Sequence, residues 1–295
     1  MEKQRKNLNE IEKFEKQKTE YYNVAVSDFD GTLAKTDKTI SEKTLSQIHS
    51  FISHGGKFAV CTGRMTASIL PVCKKYYLGN YVISFQGAAI NEVKSGKSVY
   101  FNPINPETVA KLCDFAKSAN LNFQVYPDNG FMSLLKTPET EFYSRITGVK
   151  YEVRQDIGEY FLRENKFTGK ALFYVGDNDP QELLKRIKGV LSAGEATAFI
   201  SNPRQIDVCA KGVSKGDGVK KFLNVIGGAK GAKYENEKIK LMCFGDEHND
   251  LSMLKIADFS VSPESANPDV KAVVDYICPS NDDGGVGQAL EKFGI

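Results

Sequence analysis

Residues 24–34 read VAVSDFDGTLA, and this stretch decides how the rest of the chain is read. Its opening run, NVAVS at 23–27, is continuously apolar after Asn23 and lacks the in-out alternation of a half-exposed strand. Such a run suits a parallel strand buried on both faces. The run ends on two aspartates, Asp28 and Asp30, with only Phe29 between them. Carboxylates this close repel each other, so they are either held apart in water or neutralised by a cation.

Outward from this strand, short apolar runs alternate with longer periodic segments. SEKTLSQIHSFISHGG at 41–56 predicts a helix, with Ser41 as its cap, Leu45, Ile48 and Ile52 on one face, and Gly55 and Gly56 as its stop. KFAVC (57–61) predicts the next strand. ASILPVCKKYY (67–77) predicts a helix that Pro71 kinks or delays, and YVISF (81–85) a third strand. After about residue 90 the register changes. VYF, NFQVYP, FMSLL, KYEVR, ALFYV, ATAFI and QIDVC are short, and several pair as hairpins, with DNG at 128–130 a turn signal. Helical patterns at PETVAKLCDFAKSA and PQELLKRIKGVLS interrupt them. From Lys211 the first register returns: helical VSKGDGVKKFLNVI, the strand KIKLMCF, helical NDLSMLKIAD, the strands FSV and YIC, and the helix VGQALEKF. The expectation is an α/β fold: a Rossmann-like doubly wound parallel-sheet core from residues 21–88 and 211–295, with an inserted α+β cap on an open antiparallel sheet at 89–210.

The composition narrows the function. In 295 residues, 39 basic and 37 acidic side chains nearly cancel to +2, which argues against a nucleic-acid partner bound through bulk charge. The six cysteines are dispersed with no CxxC pair, as expected of buried thiols in a reducing compartment and not of a zinc site. Residues 1–20 form a charged extension of mixed sign without the apolar centre of a secretory signal. They read as a solvated tail or a short amphipathic helix bearing Leu8, Ile11 and Phe14. No run reaches the length of a membrane span, so the expectation is a soluble cytoplasmic protein with no membrane partner.

In an open parallel sheet, ligands bind at the carboxyl ends of the strands. Here each strong core strand ends in a polar cluster: Asp28 to Thr32, then Thr62-Gly63-Arg64, then Gln86-Gly87, and finally Gly245 to Asp250. One rim would thus gather Asp28, Asp30, Asp246 and Asp250, whose mutual repulsion a divalent cation removes. An all-oxygen donor set without histidine or cysteine favours Mg²⁺ over zinc. Lys215 and Thr62 then suit an anion.

DFDGT, CTGR, VSKGDGV and FGDEHND, in this order and with a long insert between the second and third, resemble the four motifs of the haloacid dehalogenase superfamily of phosphatases. The likeness is to its Cof-like branch, with a large type IIB cap, and it runs from Tyr22 to Ile295. The resemblance implies that Asp28 is the nucleophile, forming an aspartyl phosphate, and that Asp30 is the acid and then the base. It implies Mg²⁺ held by Asp28, the Asp30 backbone carbonyl and Asp246, with Asp250 a direct or supporting ligand. Thr62 and Gly63 would hold phosphoryl oxygens, Lys215 would balance charge, and Asn249 would position Lys215 or the phosphate. The chain departs from the family at Gln86-Gly87-Ala88, where Asn-Gly-Ala is usual, so the longer amide reaches differently for substrate. It departs again at Pro263 to Ala266, where Gly-Asn-Ala is common, so a polar contact falls to Ser265 or is lost.

Blander readings stand beside these. Asp-Gly after a strand is also a common turn, and Lys211 competes with Lys215 for the inward position. Arg64 binds substrate or only neutralises the rim. His248 and Glu247 read as loop bystanders, and Arg204 and Asp207 as substrate contacts or as hinge and surface residues. The functional expectation is an Mg²⁺-dependent phosphomonoester hydrolase acting on a small phosphorylated metabolite. A sugar phosphate leads, and a cofactor such as pyridoxal phosphate or flavin mononucleotide comes next. The rivals are a phosphomutase and a non-catalytic sensor of phosphometabolites, and the expected state is a monomer or weak homo-oligomer.

Overall fold

The computed structural model describes residues 21–127, 129–227 and 239–294; the 1–20 extension and Asp128 of the expected 128–130 turn lie outside them. Strand β1 (Val24–Ser27) is buried at every residue. Val24 and Val26 pack into one apolar cluster with Val219, Phe222 and Met253. Ala25 packs into another with Ile48, Phe51 and Phe259. Successive side chains of a strand point to opposite faces, so two covered faces require the unbroken apolar run seen in the sequence.

On one side β1 is followed by β2 (Lys57–Cys61) and β3 (Tyr81–Ser84), and on the other by β12 (Leu241–Phe244), β13 (Phe259–Pro263) and β14 (Tyr276–Cys278). All of these run parallel. The strand order therefore reverses between β1 and β12, which opens a crevice at their carboxyl ends. Helix α1 (Glu42–Ser53) starts where expected, with Ser41 Oγ accepting from the Thr44 amide at 3.1 Å. Helix α2 (Thr66–Tyr76) begins ahead of Pro71 and runs through it, so the proline does not delay it.

The expected start of the insert at residue 89 is corrected by the strand pairing. β4 (Ala89–Glu92) adds antiparallel to β3 and β5 (Ser98–Phe101) antiparallel to β4, completing an eight-stranded sheet among the described residues. The cause is the turn after β3. Phe85, Gln86 and Gly87 have φ of 52°, 59° and 102°, and these left-handed residues reverse the chain so that Ala89 pairs with Ser84.

The cap is built on a six-stranded sheet in the order β10 (Ala196–Asn202), β11 (Gln205–Ala210), β9 (Ala171–Tyr174), β6 (Phe123–Val125), β7 (Phe131–Ser133) and β8 (Tyr151–Val153). Helices α3 (Pro106–Ser118) and α6 (Pro180–Val190) match the expected patterns. Two more, α4 (Pro138–Thr147) and α5 (Ile157–Arg163), were not anticipated. Thr137 and Pro138 start α4 and Gly148, at φ 67°, ends it, so its signals were in the sequence. Helix α4 also explains why the cap sheet is not wholly antiparallel: β7 and β8 pair parallel, which a crossover helix permits and a hairpin does not. The chain returns to the core through α7 (Lys215–Gly227), and the short α8 (Leu251–Leu254) and α9 (Pro268–Lys271) lead to α10 (Gly285–Phe293). The two linkers touch, Asn102 Nδ2 donating to the Lys211 carbonyl at 3.3 Å. All six cysteines are buried and free. No helix among the described residues is long and apolar enough to cross a membrane.

Candidate active site

Because β1 and β12 are neighbours, with Ser27 paired to Phe244, the segments that follow them leave the sheet side by side. Gly31, at φ 82°, passes directly under Asp246; a Cβ there would collide with the Asp246 carboxylate and force it aside, and any other residue would be strained at this φ. Thr32 Oγ1 donates to Asp246 Oδ1 at 2.5 Å. Asp250 is fully buried, and its Oδ2 accepts from the Asp246 and Glu247 amides, each at 3.0 Å. Lys215, 1% exposed, sets Nζ 2.5 Å from Asp250 Oδ1 and 2.7 Å from Asp28 Oδ1. Asp28, Asp246 and Asp250 each offer a carboxylate oxygen within 4.8 Å of the others.

Lys215 reaches this point because glycines let α7 settle close. A Cβ at Gly216 would strike the Ser252 carbonyl, and one at Gly218 would press on Gly87 Cα. Lys211 is exposed, which decides the sequence ambiguity in favour of Lys215.

The three carboxylates outnumber the lysine. Burial drives Asp28 well above the usual carboxylate range, Lys215 opposes it, and the Asp250 and Asp246 charges push it further up. Burial and then the Asp250 charge raise Asp246 to about 7. Burial alone would lower the Lys215 pKa, but Asp250 and Asp28 outweigh it and hold the ammonium charged.

Asp30 turns the other way. Arg64 clasps its carboxylate with Nε at 2.6 Å and Nη2 at 2.7 Å, and Lys38 Nζ adds a contact at 2.9 Å. Burial would raise this group, but the Arg64 hydrogen bonds and charge, with Lys38, bring it below the ordinary value. Arg64 also stacks 4.7 Å over the Phe29 ring, so the residue between the aspartates helps to seat the arginine. Two aspartates one residue apart are thus pushed in opposite directions. Lys38 had gone unnoticed, since nothing in TDKT marks it.

Asp28, Asp30, Thr62, Gly63, Arg64, Gln86, Lys215 and Asn249 line one cavity of about 310 Å³. Gly87, expected at the substrate, lies outside its wall; its φ of 102° and its packing on the Ser214 carbonyl make it a turn residue. Glu247 lines the cavity, whereas His248 is exposed and faces Asp269 at 3.1 Å. Ser265 donates to Asn281 Oδ1 at 2.8 Å and does not line the cavity. Asn249 Nδ2 donates to Gln86 Oε1 at 3.1 Å, not to Lys215, and its buried Oδ1 has no hydrogen-bond partner among the described residues.

The cap closes the far side with Tyr143 from α4, Lys170, Gln205 and Asp207 among others. Asp207 is neither hinge nor surface. It is 1% exposed, takes Lys170 Nζ at 3.0 Å and accepts from Gln86 Nε2 at 2.8 Å. Arg204 lies outside this cavity. Lys170 and Tyr143 were missed, because a lysine before a strand and a tyrosine on an unrecognised helix carry no local signal of facing a pocket.

The chain matches the haloacid dehalogenase-like hydrolases over residues 25–290 and belongs to that family. A 5-amino-6-(5-phospho-D-ribitylamino)uracil phosphatase of Bacillus subtilis is 26% identical over 286 residues, covering 93% of this chain and 98% of the relative. A crystal structure of a Thermotoga maritima protein is 29% identical with a TM-score of 0.73, covering 93% of this chain and 98% of that one. A haloacid dehalogenase subclass IIB sugar phosphatase, 22% identical, shares the fold at a TM-score of 0.75 and covers 92% of this chain and 98% of its own. The protein is a phosphatase of this family, acting on a phosphorylated small molecule.

Proposed function

We propose that this phosphatase hydrolyses a small phosphomonoester with Mg²⁺ and through an aspartyl phosphate on Asp28, a sugar phosphate being the first candidate and a phosphorylated cofactor such as pyridoxal phosphate or flavin mononucleotide the second. The observation that carries this reading is the excess of carboxylate over lysine at the β1–β12 crevice. The donors there are all oxygen, which fits Mg²⁺. Asp28, Asp246 and the Asp30 carbonyl would hold the ion. Asp250 would support them from behind, because Lys215 and two amides already engage its oxygens. Mg²⁺ bound there would neutralise the carboxylates and polarise the phosphoryl group.

The chain's own residues supply the rest. An Asp28 oxygen attacks phosphorus as the bond to the leaving oxygen breaks, and Asp30 gives that oxygen a proton. Water then attacks the aspartyl phosphate while Asp30 takes its proton, freeing Asp28 and inorganic phosphate. Thr62 Oγ1, the Gly63 amide and Lys215 hold the phosphoryl oxygens. Asp30 can carry a proton only when the Arg64 clasp loosens. Arg64 lines the same cavity, so an incoming phosphate competes for its guanidinium. The buried thiols support a reducing, cytoplasmic location.

Phosphate release is measured with Mg²⁺, with EDTA and for Asp28→Asn. Turnover that survives chelation or that substitution would overturn the mechanism. An isomerised sugar phosphate in place of free phosphate would mark a phosphomutase, and binding without release a sensor.

A further inference from the structure

Gln86 was expected to reach for substrate, yet both ends of its amide are occupied. Its Oε1 accepts from Asn249 of the core, and its Nε2 donates to Asp207 of the cap. Its backbone is tied to the loop after β2, since the Gln86 amide donates to the Thr62 carbonyl at 3.0 Å and the Phe85 amide to the Arg64 carbonyl at 2.9 Å. Gly63 makes room for the side chain; a Cβ there would fall 2.5 Å from Gln86 Nε2. Left-handed backbone at Phe85 and Gln86 is costly for residues other than glycine, and it is held in place by these bonds. Gln86 is 3% exposed and Asp207 1%, so separating them would leave two buried polar groups short of a partner. An asparagine at this position, one methylene shorter, could not span the same gap.

We infer that Gln86 is a positioning residue that latches the cap to the phosphate rim and so holds the Lys170–Asp207 pair over the cavity where the leaving group lies. The last clause rests on the hydrolase reading; the latch itself does not. Asp207 on β11 sits opposite Leu172 of β9, and Lys170 lies just ahead of β9, so the pair belongs to the rigid cap sheet. One amide thereby transmits the position of that sheet to Thr62, Gly63 and Asn249.

The test uses the full-length protein and reversal of the bond's polarity. Gln86→Glu sets a carboxylate against Asp207. Adding Asp207→Asn lets the cap amide donate to the core carboxylate while Lys170 keeps an anionic neighbour. Hydrogen–deuterium exchange is followed in the linkers at 102–105 and 211–214, and KM and kcat are measured with glucose 6-phosphate and p-nitrophenyl phosphate. Gln86→Glu should speed linker exchange and raise KM roughly ten-fold, with kcat changed less. The double variant should bring both back to within about three-fold of the parent. Gln86→Asn, which is neutral and shorter, should shift both in the same direction and covers the case in which Gln86→Glu does not fold. Unchanged linker exchange in the single variants, or two substitutions whose effects simply add, would overturn the latch. Exchange needs no turnover, so a parent protein that releases no phosphate would count against the hydrolase reading alone.

Discussion

The cavity has two walls, and each carries a buried lysine against aspartate. On the core wall Lys215 faces Asp28 and Asp250, with Asp246 beside them. On the cap wall Lys170 pairs with a single carboxylate among the described residues, Asp207, which also accepts from Gln86. The first cluster is left with surplus negative charge under burial, while the second is balanced. A buried surplus is destabilising and persists where something else compensates, which is where the proposed cation and phosphoryl group belong. A balanced pair needs no such partner and suits recognition and docking of the cap.

The largest expected effect tests the core wall directly. Asp28→Asn should lower phosphate release by roughly 10³-fold or more, and a variant within ten-fold of the parent would remove Asp28 from the chemistry. Next, the two walls should respond with opposite signs when one carboxylate is neutralised. In metal-free protein near pH 8, Asp246→Asn should raise the melting temperature by relieving repulsion. Asp207→Asn should lower it, with a loss of stability of about 3 kcal/mol, because Lys170 is left buried without its counter-charge. Melting shifts of the same sign would erase the distinction.

Asp30→Asn should slow turnover by roughly 10²-fold, and a variant at full rate would assign the proton elsewhere. The smallest effect is on pH-dependent stability. Asp246 has a folded pKa raised to about 7, mainly by burial and then by Asp250. The stability linked to its protonated form is therefore complete below the ordinary carboxylate range and is lost as pH rises through about 7. Asp30, lowered by Arg64 and Lys38 against burial, works in the opposite sense, and its contribution is lost only as pH falls below the ordinary range. Between about pH 5 and 8 the metal-free protein should thus melt at falling temperature, and saturating Mg²⁺ should flatten the trend. Melting curves with and without Mg²⁺ check both halves, and a metal-free protein that gains stability over this interval would contradict the charge surplus.

The core was legible because its rules are local. A strand covered on both faces must be continuously apolar, and a ligand rim must carry its polar residues just past each strand, so Asp28, Thr62, Gln86 and Asp246 stood out in order. The insert was harder. Its strands are legible, but α4 is not, although Thr137, Pro138 and Gly148 mark its ends, because the helix fully buries only Thr140 and so carries no wide apolar stripe. The start of the insert was misplaced because no strand was expected at Ala89–Glu92 and VYF by itself reads like a cap strand; only the pairing of β5 with β4, and of β4 with β3, places both in the core sheet.

By itself, then, the sequence determined the parallel core, the four polar strand ends at its rim and the aspartates that stand there, since each follows from spacing along one strand. Only the tertiary structure decided what each side chain faces. It turned Asp30 toward Arg64 and Lys38, chose Lys215 over Lys211, brought Lys170 and Asp207 to the cavity, and set Gln86 between core and cap. Those contacts join residues far apart in the chain, such as Gln86 with Asp207, and no local pattern encodes a distance that only the packing of two sheets defines.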